Sequence, residues 1–204
     1  MAIISFSRGF IFVKTTKTAG TSAEVHLARH CGPEDIITPI FPEVQGHQPR
    51  NYEGPEGATF FNHQPLADIC TLLDPAFFSS TFKFCFERHP IDKCISHYSM
   101  FKNSAFHTDL RFFADWDDYV EQGRFPIDHT RYMDADGRLL VDRAYPYERL
   151  QGSLDDVAQR CAFQPEPLTV REKTGWRETI IPTPAQRESI MKAFCMSNAL
   201  MGYT

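Results

Sequence analysis

Apolar residues come in short blocks along this chain, and their spacing separates strands from helices. Phe10–Val13 is an unbroken, β-prone run of strand length. The small polar stretch Lys14-Thr-Thr-Lys-Thr-Ala-Gly-Thr-Ser22 follows it, and Ala23–His30 then reads as a helix. Strand, small-residue loop and helix in that order open many α/β folds that hold phosphate. Pro65–Leu73 suits a short helix with Pro65 in its first turn. Thr81–Glu87 is the clearest strand, because Phe82, Phe84 and Phe86 fall on one face and Cys85 on the other. Pro90 opens a helix that runs to about Phe101. Further on, Asp115-Trp-Asp-Asp118 reads as a helix start and Leu139–Asp142 as a strand beside a turn at Asp136-Gly137. Ser153 reads as the cap of a helix reaching about Cys161. Thr183-Pro-Ala-Gln186 has the form of a capping box, and Ile190, Met191, Phe194 and Cys195 share one face of the helix it opens.

Between the first helix and Pro65 lies a segment with little periodicity. Residues 32–57 hold five prolines and, apart from a possible strand at Ile36–Ile40, read as a long ordered loop or flap, a feature that in compact domains usually serves function. The expected architecture is α/β, a three-layer sandwich with a short central parallel sheet, in one domain over residues 1–204. A chain of this length buries about 70% of its unfolded surface and needs no disulfide or metal staple. The six cysteines are scattered without a CxxC pair, which fits reduced thiols, mostly buried, in a cytoplasmic protein. No apolar run approaches the ~20 residues of a membrane span.

Charge changes this picture locally. The formal net charge is −5, against nucleic-acid or anionic-membrane partners. Residues 109–160 alone carry twelve acids and seven bases, whereas residues 8–30 are +3 and residues 83–102 are +2. Local basic pockets for a small anion therefore remain.

Both basic segments have the chemistry such a pocket needs. In Lys17-Thr18-Ala19-Gly20-Thr21-Ser22 the small residues let the backbone close around an anion, the helix N-terminus aims N–H groups at it, and Lys17 adds a full charge. This is not a Walker loop, since GxxxxGK[ST] is absent and the lysine precedes the glycine. Arg88 stands where the Thr81–Glu87 strand ends, and its planar fork suits a phosphate. Ser96 follows about two helical turns later.

In this order and separation the two segments resemble the PAPS-dependent sulfotransferases, particularly those whose donor loop reads PKTAGTS. Here the loop is TKTAGTS, with Thr16 in place of the proline. The second segment resembles the family's F-x-R-[ND]-P-x-x-[RK]-x-x-S-x-Y element at Phe86, Arg88, Pro90, Lys93, Ser96 and Tyr98, with His89 in place of Asn or Asp. Tyr147-Glu-Arg-Leu150 is similar to its Y-E-N-L element and Met201-Gly-Tyr203 to its F-G-Y ending. The resemblance implies a P-loop-NTPase-like sulfotransferase fold and a metal-independent donor, 3′-phosphoadenosine 5′-phosphosulfate. Lys17, Thr18, Ala19, Gly20, Thr21 and Ser22 would hold its 5′-phosphosulfate, and Arg88 with Ser96 its 3′-phosphate. Lys17 would also stabilise the leaving phosphate as charge builds on it.

A hydroxyl or amine acceptor, from a small molecule or an oligosaccharide, needs a base. Among eight histidines the choice is His63, which follows the flap, precedes a helix and resembles the family's histidine in its N-H-x-x-A-x-x-[IL] or K-H-x-T-A segment, the alanine here standing one position later at Ala67. Glu24 and His26 are the next candidates, although Glu24 also reads as a solvated helix position. His26 and His30 have the spacing of a two-histidine metal site but lack a third ligand, so they read as a solvated face. Lys173 and Arg177, in a late loop, would reach the donor phosphates or else serve as surface charge. Two other readings of the same residues stand beside this one: a nucleotide-dependent phosphoryl transferase, and a non-catalytic anion-binding protein.

Overall fold

The computed structural model describes residues 2–55, 57–105, 111–169 and 177–204. Its framework is a mixed sheet of five strands: β1 (Ala2–Ser5), β2 (Phe10–Val13), β3 (Ile36–Ile37), β6 (Phe82–Glu87) and β7 (Arg143–Pro146), in the order β3-β1-β2-β6-β7. The β2, β6 and β7 strands are parallel, while β1 runs antiparallel to both β2 and β3. The sheet is thus not wholly parallel as the sequence suggested. The chain starts with an apolar strand that turns back directly into β2, a hairpin that a parallel pair cannot make. The proline-rich segment also carries a separate two-residue pair, β4 (Glu53–Gly54) with β5 (Gly57–Ala58), and an Ile37–Arg50 bridge.

Alternation along the strands divides the core between two faces. Phe10, Phe12, Phe84 and Phe86 point to one side, against α1 (Gly20–Ala28) and α7 (Leu150–Arg160). Ile11, Val13 and Cys85 point to the other, against α2 (Leu66–Leu72), Tyr132 of α6 (His129–Tyr132) and partly buried Phe77 of α3 (Pro75–Ser80). The result is helix, sheet, helix. A third apolar cluster joins α4 (Pro90–Asn103), α5 (Trp116–Gln122) and α8 (Pro184–Ala193) beside the sheet. Among the described residues no helix is long and apolar enough to cross a membrane.

Four local expectations shift. The last strand is Arg143–Pro146, not Leu139–Asp142. Leu140 and Val141 reach the core from irregular backbone, and the Asp142 carboxylate instead accepts the Lys83 N–H at the start of the parallel pairing. The helix expected to be capped at Ser153 starts at Leu150, after a 3₁₀ turn at Tyr147–Arg149, and the Ser153 hydroxyl donates back to the Arg149 carbonyl. The final helix breaks at Phe194 into α8 and α9 (Cys195–Met201), leaving Cys195 exposed. The possible strand at Ile36–Ile40 shrinks to the two residues Ile36–Ile37; the other expected elements form close to their expected bounds, and both halves of the capping box at Thr183 and Gln186 are made.

Candidate active site

Because β2 and β6 are adjacent and parallel, the loops leaving their C-terminal ends lie side by side, where open α/β sheets bind ligands. One loop leads into α1 and the other into α4. Together with the turn at Tyr147 they wall a cavity of about 660 Å3.

The loop before α1 is tightly wound. Lys17 and Ala19 both adopt the left-handed conformation, with φ of 61° and 55°, which costs a residue with a Cβ about 1–2 kcal/mol. The first hydrogen bond of α1 runs from Ala23 N–H to the Ala19 carbonyl, so the amides of residues 20–22 have no acceptor within the helix. Lys17, Ala19, Gly20, Thr21 and Ser22 line the cavity. Thr18 does not: its hydroxyl is buried against Thr15. Gly20 is needed for space, not for its dihedral angles, because a Cβ there would come within 2.6 Å of the Lys14 side chain.

Arg88 and Ser96 line the same cavity. The guanidinium lies 4.2 Å from the Tyr147 ring centroid, donates from Nη1 to the Lys17 carbonyl at 3.1 Å, and has its Nε buried with no hydrogen-bond partner. An unpaired buried N–H is costly, so this cation is positioned for an acceptor the protein does not supply. Burial lowers its pKa, yet an arginine stays charged. The two later motifs converge here as well. Glu148 accepts from the His89 N–H at 2.9 Å and from the Tyr203 hydroxyl at 3.0 Å, so residues far apart in the chain brace one corner.

His63 forms part of the opposite wall and is itself left-handed, with φ of 62°. Its Nδ1 lies 3.1 Å from the Lys14 carbonyl and hydrogen-bonds Arg131. Burial, followed by nearby positive charge that includes Arg131 and Lys14, pulls its pKa down to about 2. The ring is therefore neutral at pH 7.

Lys14 is a site residue that the motif reading passed over. It is buried at the end of β2, donates to the Thr21 hydroxyl at 3.0 Å and lies 3.6 Å from Glu24. Glu24 is no solvated helix position: it is fully buried and also faces His47 of the flap at 3.7 Å. His26 is likewise buried, its ring edge-on to His30, and neither lines the cavity. The solvated face expected at these two histidines is instead packed, with His30 stacked on Phe163 and both pKa values lowered by burial. Arg177 pairs with Asp92 at 2.5 Å, and Lys173 lies outside the described residues.

Beneath the cavity sits a buried charge network. Lys93 is fully buried between Glu87 at 2.5 Å and Asp128 at 2.8 Å. Asp128 also accepts from the Thr16 N–H at 2.7 Å, the Thr16 hydroxyl at 3.0 Å and Arg131 Nε at 3.0 Å, which fills the four acceptor positions of a carboxylate. Burial pushes its pKa up, but Lys93 and Arg131 outweigh that and hold it below the usual range. The Thr16 N–H and hydroxyl, both of which a proline would lack, tie the loop to this network.

No protein-family model and no curated protein matches the chain.

Proposed function

We propose that the chain transfers a sulfuryl group from 3′-phosphoadenosine 5′-phosphosulfate to a hydroxyl or amine, in a P-loop-NTPase-like sulfotransferase fold. The observation that carries this reading is the Arg88 Nε, buried without a partner in the wall of the cavity that the α1 N-terminus and Lys17 also line. Two separate anion sites in one cavity suit a donor with phosphates at both ends of a nucleoside. Apolar side chains including Met100, Leu150 and Leu168 complete walls fit for a ligand that is part anion and part base.

When bound, the donor supplies an activated sulfuryl group whose leaving group is a phosphate. Lys17 and residues 19–22 hold the 5′ end, and Lys17 stabilises the charge that develops there. Arg88 and Ser96 hold the 3′-phosphate. His63 accepts the acceptor proton at Nε2. With a pKa of about 2 it is a feeble base in the free protein, but an anionic donor beside it favours the protonated ring and raises that value toward the working range. Loading the donor thus switches on the base.

Calorimetric titration with 3′-phosphoadenosine 5′-phosphate, and with ATP in the presence and absence of magnesium, tests the reading. Metal-independent binding of the first, at least tenfold tighter than of ATP, is expected. Magnesium-dependent preference for ATP would replace sulfuryl transfer with phosphoryl transfer.

A further inference from the structure

Two neighbours of His63 Nδ1 make opposite demands on it. The Lys14 carbonyl oxygen can only accept, so it needs a proton on Nδ1. Arg131 Nη1 can only donate, so it needs the lone pair there. A neutral imidazole satisfies one of the two. Bonded to Lys14, the ring keeps a lone pair on Nε2 and can act as a base. Bonded to Arg131, it carries its proton on Nε2 and offers the cavity a donor instead.

Arg131 does not reach His63 as a loose surface side chain. Its Nε is held 3.0 Å from Asp128, whose carboxylate is itself fixed by Thr16 and buried Lys93. A hydrogen bond from a guanidinium is charge-assisted and stronger than one to a neutral carbonyl. We infer that Arg131, anchored by Asp128, is a positioning residue that sets the tautomer of His63, holding the proton on Nε2 in the ligand-free protein. Base catalysis then requires Arg131 to yield Nδ1 to the Lys14 carbonyl. The ring stays neutral throughout, since one proton leaves Nε2 for solvent as another is taken up at Nδ1. The same Asp128 carboxylate grips Thr16, so the anion loop and the base share one anchor.

This inference rests on the reading of His63 as the base, but its test needs neither donor nor acceptor. Protein labelled with 15N-histidine is examined by long-range proton–nitrogen NMR at pH 7.5, with the His63 ring assigned by its loss in His63→Gln. The wild-type ring is expected to be protonated mainly at Nε2. In Arg131→Met the major form should become Nδ1–H while the other histidine signals stay in place. Arg131→Lys, too short to keep both contacts, should shift the same way and serves if the methionine variant folds poorly. A wild-type ring already protonated at Nδ1, or one unchanged in both variants, would overturn the inference. Failure of 3′-phosphoadenosine 5′-phosphate to bind would remove the sulfotransferase reading and leave this result standing.

Discussion

Arg88 and Lys93 lie five residues apart around the start of α4, yet the protein treats the two cations in opposite ways. Lys93 is sealed from solvent with a carboxylate on either side, and those carboxylates have their other acceptor positions filled, Glu87 by the Arg88 N–H, Tyr132 and Ser197, and Asp128 by Thr16 and Arg131. Arg88 is also buried, but it keeps a donor without a partner at the wall of the cavity. A network with every group satisfied gives rigidity; a buried donor left over gives a place for a ligand. The resemblance to the sulfotransferase element covers both residues, and only the structure separates the one that holds the fold from the one that faces the cavity.

Removing each cation in turn separates the two roles. Lys93→Ala strands two buried carboxylates and should cost about 3–5 kcal/mol, a large share of the stability of a domain. Arg88→Gln loses one hydrogen bond and a ring contact, so a cost of about 1–2 kcal/mol is expected. Urea unfolding of the two variants measures both, and equal costs would erase the distinction.

Gly20→Ala probes the same contrast from the cavity side. The added methyl collides with Lys14, and such overpacking costs about 1–3 kcal/mol. Because Lys14 must move away from Thr21, binding of 3′-phosphoadenosine 5′-phosphate should weaken along with stability. A Gly20→Ala protein with wild-type melting and affinity would show that the close approach is immaterial.

A further effect concerns acid. The folded pKa of His63 lies far below its unfolded value of 6.5, so below pH 6.5 the unfolded chain binds a proton that the folded one refuses. The stability this histidine contributes is complete above that pH and is lost as pH falls, with a limiting slope of about 1.4 kcal/mol per pH unit. His26, His30 and His47 are shifted the same way and remain in a His63→Gln variant. The variant should therefore lose less stability than the wild type between pH 7 and pH 5 in urea titrations. Parallel losses would place a normal histidine at this position.

What the sequence revealed follows from how local each signal is. The loop from Lys17 to Ser22 and the strand from Phe82 to Glu87 are contiguous, so small residues and period-two phenylalanines declare them directly. Lys14 hid among them because a lysine after a strand looks solvated until α1 folds over it. The tie from Thr16 to Asp128 spans 112 positions and pairs a threonine with an aspartate in an acidic stretch, where no spacing rule marks one acid among twelve. Arg143–Pro146 escapes a sequence reading for a related reason. Its strand identity comes from pairing with β6 at the sheet edge, which admits a proline, while the more apolar Leu139–Val141 next to it only packs.

On the proposed function, Arg88 is held in reserve for the 3′-phosphate of the donor. Calorimetric affinities of the wild type and Arg88→Gln for 3′-phosphoadenosine 5′-phosphate and for AMP, which lacks only that phosphate, test it most directly. Losing one partner of a buried charge pair costs about 2–5 kcal/mol, so the wild type should prefer the bisphosphate by at least about 30-fold and the variant should bind the two nearly alike. A preference that survives intact in Arg88→Gln would show that Arg88 does not hold the 3′-phosphate.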